Sequence, residues 1–151
     1  MRTRKSKIAD PALLLSIQPQ YADKIFEGTK KVELRKVRPK LEANDWVLVY
    51  VSSPIKALVG AFQVERVVES SKVQLWKVVQ TEAGITRQEF NAYYDDHSKG
   101  IGIFFREARK FQKPIALIQL KKAWPGFHPP QCHRYLTPEQ FRKIDGLGYC
   151  S

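Results

Sequence analysis

Cysteine is scarce in this chain: Cys132 and Cys150 are the two in 151 residues, both in the last fifth, so no disulfide framework is indicated and a reducing cytoplasm is the natural setting. Long apolar runs are missing as well. The longest, Trp46 to Val51 and Ile115 to Leu120, are strand-sized, and the basic N-terminus from Met1 to Lys7 leads into only a few apolar residues, which argues against secretion and membrane insertion. Acidic side chains are outnumbered, 15 against 26 basic ones, and the net charge of +11 predicts a positive surface potential that attracts phosphate-rich partners, nucleic acid first among them. Neither an internal repeat nor a low-complexity linker divides the chain, and its length suits one domain, spanning residues 13–151, behind a basic, flexible arm over residues 1–12.

The basic residues gather in three places: Arg2 to Lys7, Lys30 to Lys40, and Arg106 to Lys113. They form one patch only if the elements that carry them are neighbours. Leu13 to Ile17 reads as a buried first strand, and Pro19 opens a helix in which Tyr21, Ala22, Ile25 and Phe26 recur at helical spacing before a Gly28 cap. A second strand is expected from about Lys31 to Arg38, a third over Trp46 to Val51, and a long one over Ala57 to Val68 whose Gly60 marks a bulge or a close backbone approach. Ser70 or Ser71 and Thr86 are caps for two short helices, strands are expected again over 100–105 and 115–120, and Thr137-Pro138-Glu139 starts a final helix. Five or six strands with short helices between them argue for an α+β fold, a small mixed β-barrel with short helices packed around it.

The most informative stretch is Gly28-Thr29-Lys30-Lys31-Val32-Glu33-Leu34-Arg35. Here the helical period gives way to a period of two, with Val32 and Leu34 on one face, Lys31, Glu33 and Arg35 on the other, and Lys30 at the strand mouth. Fixed on rigid backbone, Lys30 and Arg35 are suited to hold phosphate, and Glu33 to accept from an exocyclic amine or to orient its basic neighbours. The alternative is a solvated strand face with cross-strand ion pairs.

The order Leu15-Ser16-Ile17-x-Pro19, then Gly28-x-Lys30-x-x-Glu33-x-Arg35, then a strand running into Ser53-Pro54-Ile55-Lys56-Ala57-Leu58-Val59-Gly60, resembles the ASCH domain of the PUA-like superfamily, over roughly residues 13–123. The resemblance implies a barrel with a cleft beside the first helix that accepts RNA or a nucleotide-like ligand. Carried over position by position, it makes Lys30, Glu33 and Arg35 the leading ligand-binding candidates and adds Ser53 and Lys56 beside the strand break. The function implied is an RNA-binding or nucleotide-ligand-binding module. The alternative is a hydrolase acting on RNA or a modified nucleoside at the Lys30/Glu33 cleft. One bacterial branch of the family is similar to an amidohydrolase of acetylated cytidine, with a lysine, a threonine three positions on and a distant glutamate. This chain keeps Lys30 but has Glu33 in place of the threonine, a different nucleophile with a different proton inventory, and only Glu82 and Glu89 lie where the distant glutamate is sought. A second branch is similar to a metal-assisted ribonuclease, for which no compact carboxylate cluster is evident here.

No cofactor or metal is expected. His128, Cys132 and His133 fall within six residues, but the Pro129-Pro130 spacer and the lack of a second ligand pair read as a surface loop. Trp76, Tyr93, Tyr94 and His97 offer faces on which bases stack, although helical spacing fits packing of Trp76 and its neighbours on the core equally well. Oligomeric state is not legible in the sequence.

Overall fold

The structure, a computed structural model, describes residues 13–131 and 133–145. The arm expected over residues 1–12, with its basic cluster, and the two cysteines lie outside the described residues.

The elements run β1 (Leu13–Ile17), α1 (Pro19–Glu27), β2 (Val32–Arg35), β3 (Trp46–Val51), β4 (Ala57–Ser71), α2 (Lys72–Val79), α3 (Arg87–Tyr93), β5 (Lys99–Ala116), α4 (Leu117–Ala123), β6 (His133–Tyr135) and α5 (Pro138–Asp145). The strands make one sheet in the order β2-β5-β4-β3-β1-β6, with β1 and β3 parallel and the other pairs antiparallel. Alternation along β1 and β3 buries both faces of the sheet centre. Leu13, Leu15, Ile17, Val47, Val49 and Val51 join Ala22 and Ile25 of α1, while Leu14, Leu48 and Tyr50 join Leu120 of α4, Trp124, Phe127 and Phe141 of α5. A third cluster closes over β2, where Val32 and Leu34 meet Leu75 and Val79 of α2 and Phe90 and Tyr94 at α3.

The sheet is a curled half-barrel. Four steps of the strand order separate β2 from β1, about 19 Å if the sheet were flat, yet the Arg35 guanidinium donates to the Ser16 carbonyl at 3.0 Å. The curl is built into the long β4–β5 ladder by three register shifts, at Leu58/Gly60, Ala61/Gln63 and Val64/Arg66. At the first of these a side chain on Gly60 would overlap the Arg109 carbonyl and come within 2.6 Å of the Phe26 ring, so the glycine is what lets α1 sit against the sheet.

Helix starts and stops follow the local chemistry read from the sequence. Gly28 takes the left-handed conformation (φ 93°) and ends α1, the Ser71 hydroxyl accepts from Gln74 N, and Thr86 and Glu89 form a reciprocal capping box. Thr137 does the same with Gln140, at 3.0 and 3.1 Å.

Three expectations change. The second strand stops at Arg35 rather than Arg38. The two strands expected over 100–105 and 115–120 are one long β5 that ends at Ala116, and Leu117 to Leu120 belongs to α4. There the Gln119 side chain accepts from Ala116 N at 2.9 Å, and Leu120 is buried while Ile118 is 65% exposed, a helical rather than an alternating pattern. A stretch this short does not reveal its period. Finally, His133, read together with His128 as part of a surface loop, lies on a short edge strand, β6, paired with β1.

Candidate functional site

The Gly28–Arg35 stretch forms the floor of a cleft of about 690 Å³ at the end of β1 and β3, between α1, β2 and α3. All five residues singled out in the sequence line it: Lys30, Glu33, Arg35, Ser53 and Lys56. So do Tyr21, Lys36, Tyr50, Tyr93 and, from the other side, Pro129 and Pro130.

The solvated reading of the strand's charged face does not hold for its core. Lys30, Glu33 and Arg35 are only 3%, 7% and 8% exposed. Charges so deep in the protein need partners, and each has them. Arg35 donates to the same Glu33 carboxylate oxygen through Nε at 3.0 Å and Nη2 at 2.8 Å, and holds the Ser16 carbonyl as well. Lys30 Nζ lies 3.7 Å from the other Glu33 oxygen and donates to the Ala83 carbonyl at 2.8 Å. Burial lowers the Lys30 pKa, against the raising pull of the Glu33 carboxylate. Burial also raises the Tyr50 phenol, and burial followed by the Glu89 and Glu33 charges raises Tyr21.

Local geometry explains why the motif has this spacing. The Gly28 turn lets the Lys24 carbonyl accept from the backbone of Gly28, Thr29 and Lys30, all near 3.0 Å, which turns the chain from α1 straight into β2. Segment 82–84, between α2 and α3, is then clamped to that turn. Lys31 N donates to the Glu82 carbonyl at 2.7 Å, Lys30 Nζ to Ala83, and Lys24 Nζ to the Gly84 carbonyl at 2.7 Å. The clamp positions Ile85, Glu89 and Tyr93 as the α3 wall of the cleft.

Ser53 and Lys56 sit on the exposed turn that follows β3. Ser52 N is tied to the Ile17 carbonyl at 3.0 Å, Lys56 has a left-handed backbone (φ 53°), and its carbonyl accepts from Leu117 N at 2.9 Å. The Lys56 ammonium is therefore carried by a turn fixed at both ends.

The aromatic candidates separate. Tyr94 is fully buried, donates to the Arg35 and Ile101 carbonyls at 2.9 and 3.3 Å, and is a core residue. Trp76 packs on Phe90 at 5.0 Å between ring centroids, away from the cleft. His97 pairs with Asp96 at 3.0 Å, also away from it. Tyr93 faces the cleft with its ring 4.8 Å from the Lys36 ammonium.

The two basic clusters among the described residues do not merge around the cleft. Lys30, Arg35 and Lys36 line it, but Arg106 to Lys113 lie elsewhere on β5, where Arg106 bonds the Asn44 side chain and Arg109 stands 5.1 Å over the Trp46 ring. Among the described residues no group of three or more His, Cys, Asp or Glu is placed to hold a metal ion, and no helix is long and apolar enough to cross a membrane. His128 is exposed and His133 lies on β6. Glu89, at the cleft edge, uses its carboxylate to cap Thr86 N at 2.8 Å.

Sequence reasoning missed Tyr50 and Ser16. Both were absorbed into buried strands, and the one signal available was that each is a polar tip at the end of an aliphatic strand, Tyr50 just before the Ser52-Ser53-Pro54 break.

The ASCH domain family model matches residues 15–115. The chain is 30% identical over 136 residues to a Zymomonas mobilis protein named ASCH domain-containing ribonuclease, covering 89% of this chain and 90% of that one. The crystal structure of ASCH from Zymomonas mobilis superposes with a TM-score of 0.85 at 27% identity, over 92% of this chain and 96% of the other. The N-terminal domain of Staphylothermus marinus McrB shares the fold at a TM-score of 0.56 and 16% identity.

Proposed function

The chain belongs to the ASCH domain family, and from that premise we propose that it is a cytoplasmic, single-domain RNA-binding module that takes an unpaired nucleotide into the cleft at Lys30, Glu33 and Arg35. The observation that carries this reading is the composition of the cleft: four basic against two acidic side chains, two of the cations buried and fixed on its floor, with Lys36 and Lys56 exposed at its rim. Cations on a rigid floor recognise anionic groups without first losing side-chain entropy. The rim lysines suit the phosphates that flank the nucleotide, and the ring of Tyr93 offers a stacking face. A net charge of +11 supports the same partner class.

A fluorescence titration with a labelled single-stranded octanucleotide tests it. Because the Arg106–Lys113 cluster lies away from the cleft, about 2 to 3 phosphates are engaged, giving a log-log salt slope of roughly −1.4 to −2.1. Lys56→Ala and Lys36→Ala weaken binding, whereas Lys143→Ala, on the exposed face of α5, does not. Equal losses for all three, or no binding at low salt, refute the reading.

The name of the Zymomonas mobilis relative favours a second reading, hydrolysis of RNA in the same cleft. The inventory for proton transfer is present: an amine whose pKa is lowered by burial, a carboxylate beside it, and the Tyr50 phenol at the end of β3. Product analysis of labelled RNA after incubation decides between the two, with Lys30→Met and Tyr50→Phe as controls. Cleavage that disappears in both variants would make this an enzyme rather than a binding module.

A further inference from the structure

A second depression adjoins the cleft at Lys56. Behind the turn that carries it runs a shallow groove, lined by Pro54, Ile55, Lys56, Ala116, Leu117, Ile118 and Lys121. Lys56 and Leu117 line both depressions, so the groove adjoins the cleft. We propose that this groove is a second nucleotide subsite, which receives the nucleotide adjacent in the RNA chain to the one in the cleft, its base lying on Ile55 and Ile118 and its phosphate between Lys56 and Lys121. The proposal rests on the RNA-binding reading of the cleft and extends it.

Three features of the groove fit this occupant. Its ionisable lining is entirely cationic, Lys56 and Lys121, which complements a polyanion. Its rim presents two large aliphatic side chains to solvent, Ile55 at 53% and Ile118 at 65% exposure, and an apolar surface beside cations matches a nucleotide, which carries a flat base beside a phosphate. Its walls are joined. The Lys56 carbonyl accepts from Leu117 N at 2.9 Å, and Ala57 pairs with Ala116 in the β4–β5 ladder, so the 54–56 turn and the start of α4 move as one body. Lys56 itself holds the left-handed backbone (φ 53°) that non-glycine residues seldom adopt, and this conformation sets its side chain between the two depressions.

The experiment compares uridine 5′-monophosphate with a labelled octauridylate on the wild type and on Ile118→Asp, Ile118→Ser and Lys121→Ala. Ile118 and Lys121 are exposed, so the fold tolerates all three, and circular dichroism melting confirms it. Ile118→Asp is expected to weaken the octamer about tenfold or more, from loss of the apolar platform and repulsion of the phosphate, with Ile118→Ser intermediate. Lys121→Ala should reduce the salt slope of octamer binding by about 0.7, one phosphate on a single strand. Mononucleotide binding stays unchanged in all three. Octamer affinity unaltered by every substitution overturns the subsite, and so does an equal loss for mononucleotide and octamer. A patch that serves self-association instead would show a dimer by sedimentation in the wild type that Ile118→Asp dissolves, with RNA affinity untouched, and this also overturns it. If the wild type binds neither probe, the RNA reading of the cleft itself has failed, an outcome distinct from binding that ignores the groove.

Discussion

Removing the Glu33 carboxylate should be among the costliest single changes in this protein. Its side chain is 9% exposed, one oxygen accepts two charge-assisted hydrogen bonds from Arg35 at 2.8 and 3.0 Å, and the other faces Lys30 at 3.7 Å. Glu33→Ala leaves two cations in the floor without a counter-charge. Breaking a buried pair from one side costs about 3–5 kcal/mol, which for a domain of this size corresponds to a melting point lower by roughly 6–20 °C. Glu33→Gln keeps the shape and one acceptor and should lose less. Urea unfolding followed by tryptophan fluorescence measures both, and the double variant Glu33→Leu/Arg35→Met supplies the control. With both charges gone one cation, Lys30, is left without the Glu33 charge instead of two, so the double variant should be more stable than the sum of the Glu33→Leu and Arg35→Met losses predicts, by about 1–3 kcal/mol of coupling. A Glu33→Ala loss under about 1 kcal/mol, the range of exposed pairs, or strictly additive single and double variants, would refute the claim that the motif is a desolvated ion network.

Other outcomes follow from the same packing. Burial holds the Lys30 pKa below its ordinary 10.5, so between that lowered value and 10.5 the unfolded chain binds more protons than the native one and wild-type stability rises with pH; urea titrations in this range should show the rise flattened in Lys30→Met. Tyr94 is shifted the other way, chiefly by burial, so above pH 10 the native state keeps a proton that the unfolded state gives up and stability falls; Tyr94→Phe should reduce that alkaline decline, to which the raised Tyr21 and Tyr50 phenols also contribute, while costing about 1–3 kcal/mol at neutral pH for the uncapped Arg35 and Ile101 carbonyls. Gly60→Ala should destabilise by about 1–3 kcal/mol through overlap with Phe26 and the Arg109 carbonyl, seen as a lower urea midpoint at unchanged slope; a neutral substitution there would contradict the close seating of α1.

Much of this architecture was legible because its signals are local. Pro19 and Gly28 bracket α1, Ser71, Thr86 and Thr137 cap their helices, and the alternation of Val32 and Leu34 marks β2, all from chemistry within a few residues. What the sequence concealed depends on distant partners. Whether Arg35 and Lys30 point to water or into protein is decided by Ser16 and by the 82–84 segment, and no spacing around β2 reveals either. The same holds for Ile115 to Leu120, where Gln119 reaching back to Ala116 N and the Lys56 carbonyl meeting Leu117 N select helix over strand after Ala116. Charge clustering misled for the same reason, since neighbours in sequence on β5 project onto a part of the curled sheet that the cleft does not reach.

The buried motif is therefore a structural joint as well as the floor of the cleft, and the two roles meet in Lys30. Its ammonium ties the Ala83 carbonyl to the cleft floor, and through that tie and the parallel ones from Lys24 and Lys31 it holds the segment from which Ile85, Glu89 and Tyr93 descend into the cleft. A lost contact at Lys30 thus moves the α3 wall as well as removing a charge, and weaker binding in a Lys30 variant reports both at once. Lys56 has no such double duty: its side chain is exposed, and the turn beneath it is held by backbone hydrogen bonds that a change of side chain leaves in place. Charge at the rim can accordingly be varied independently of the shape of the floor. On the RNA-binding reading the fixed floor sets the geometry of the contact and the solvated edge adds long-range attraction, so folding stability should track the floor and the salt dependence of binding the rim.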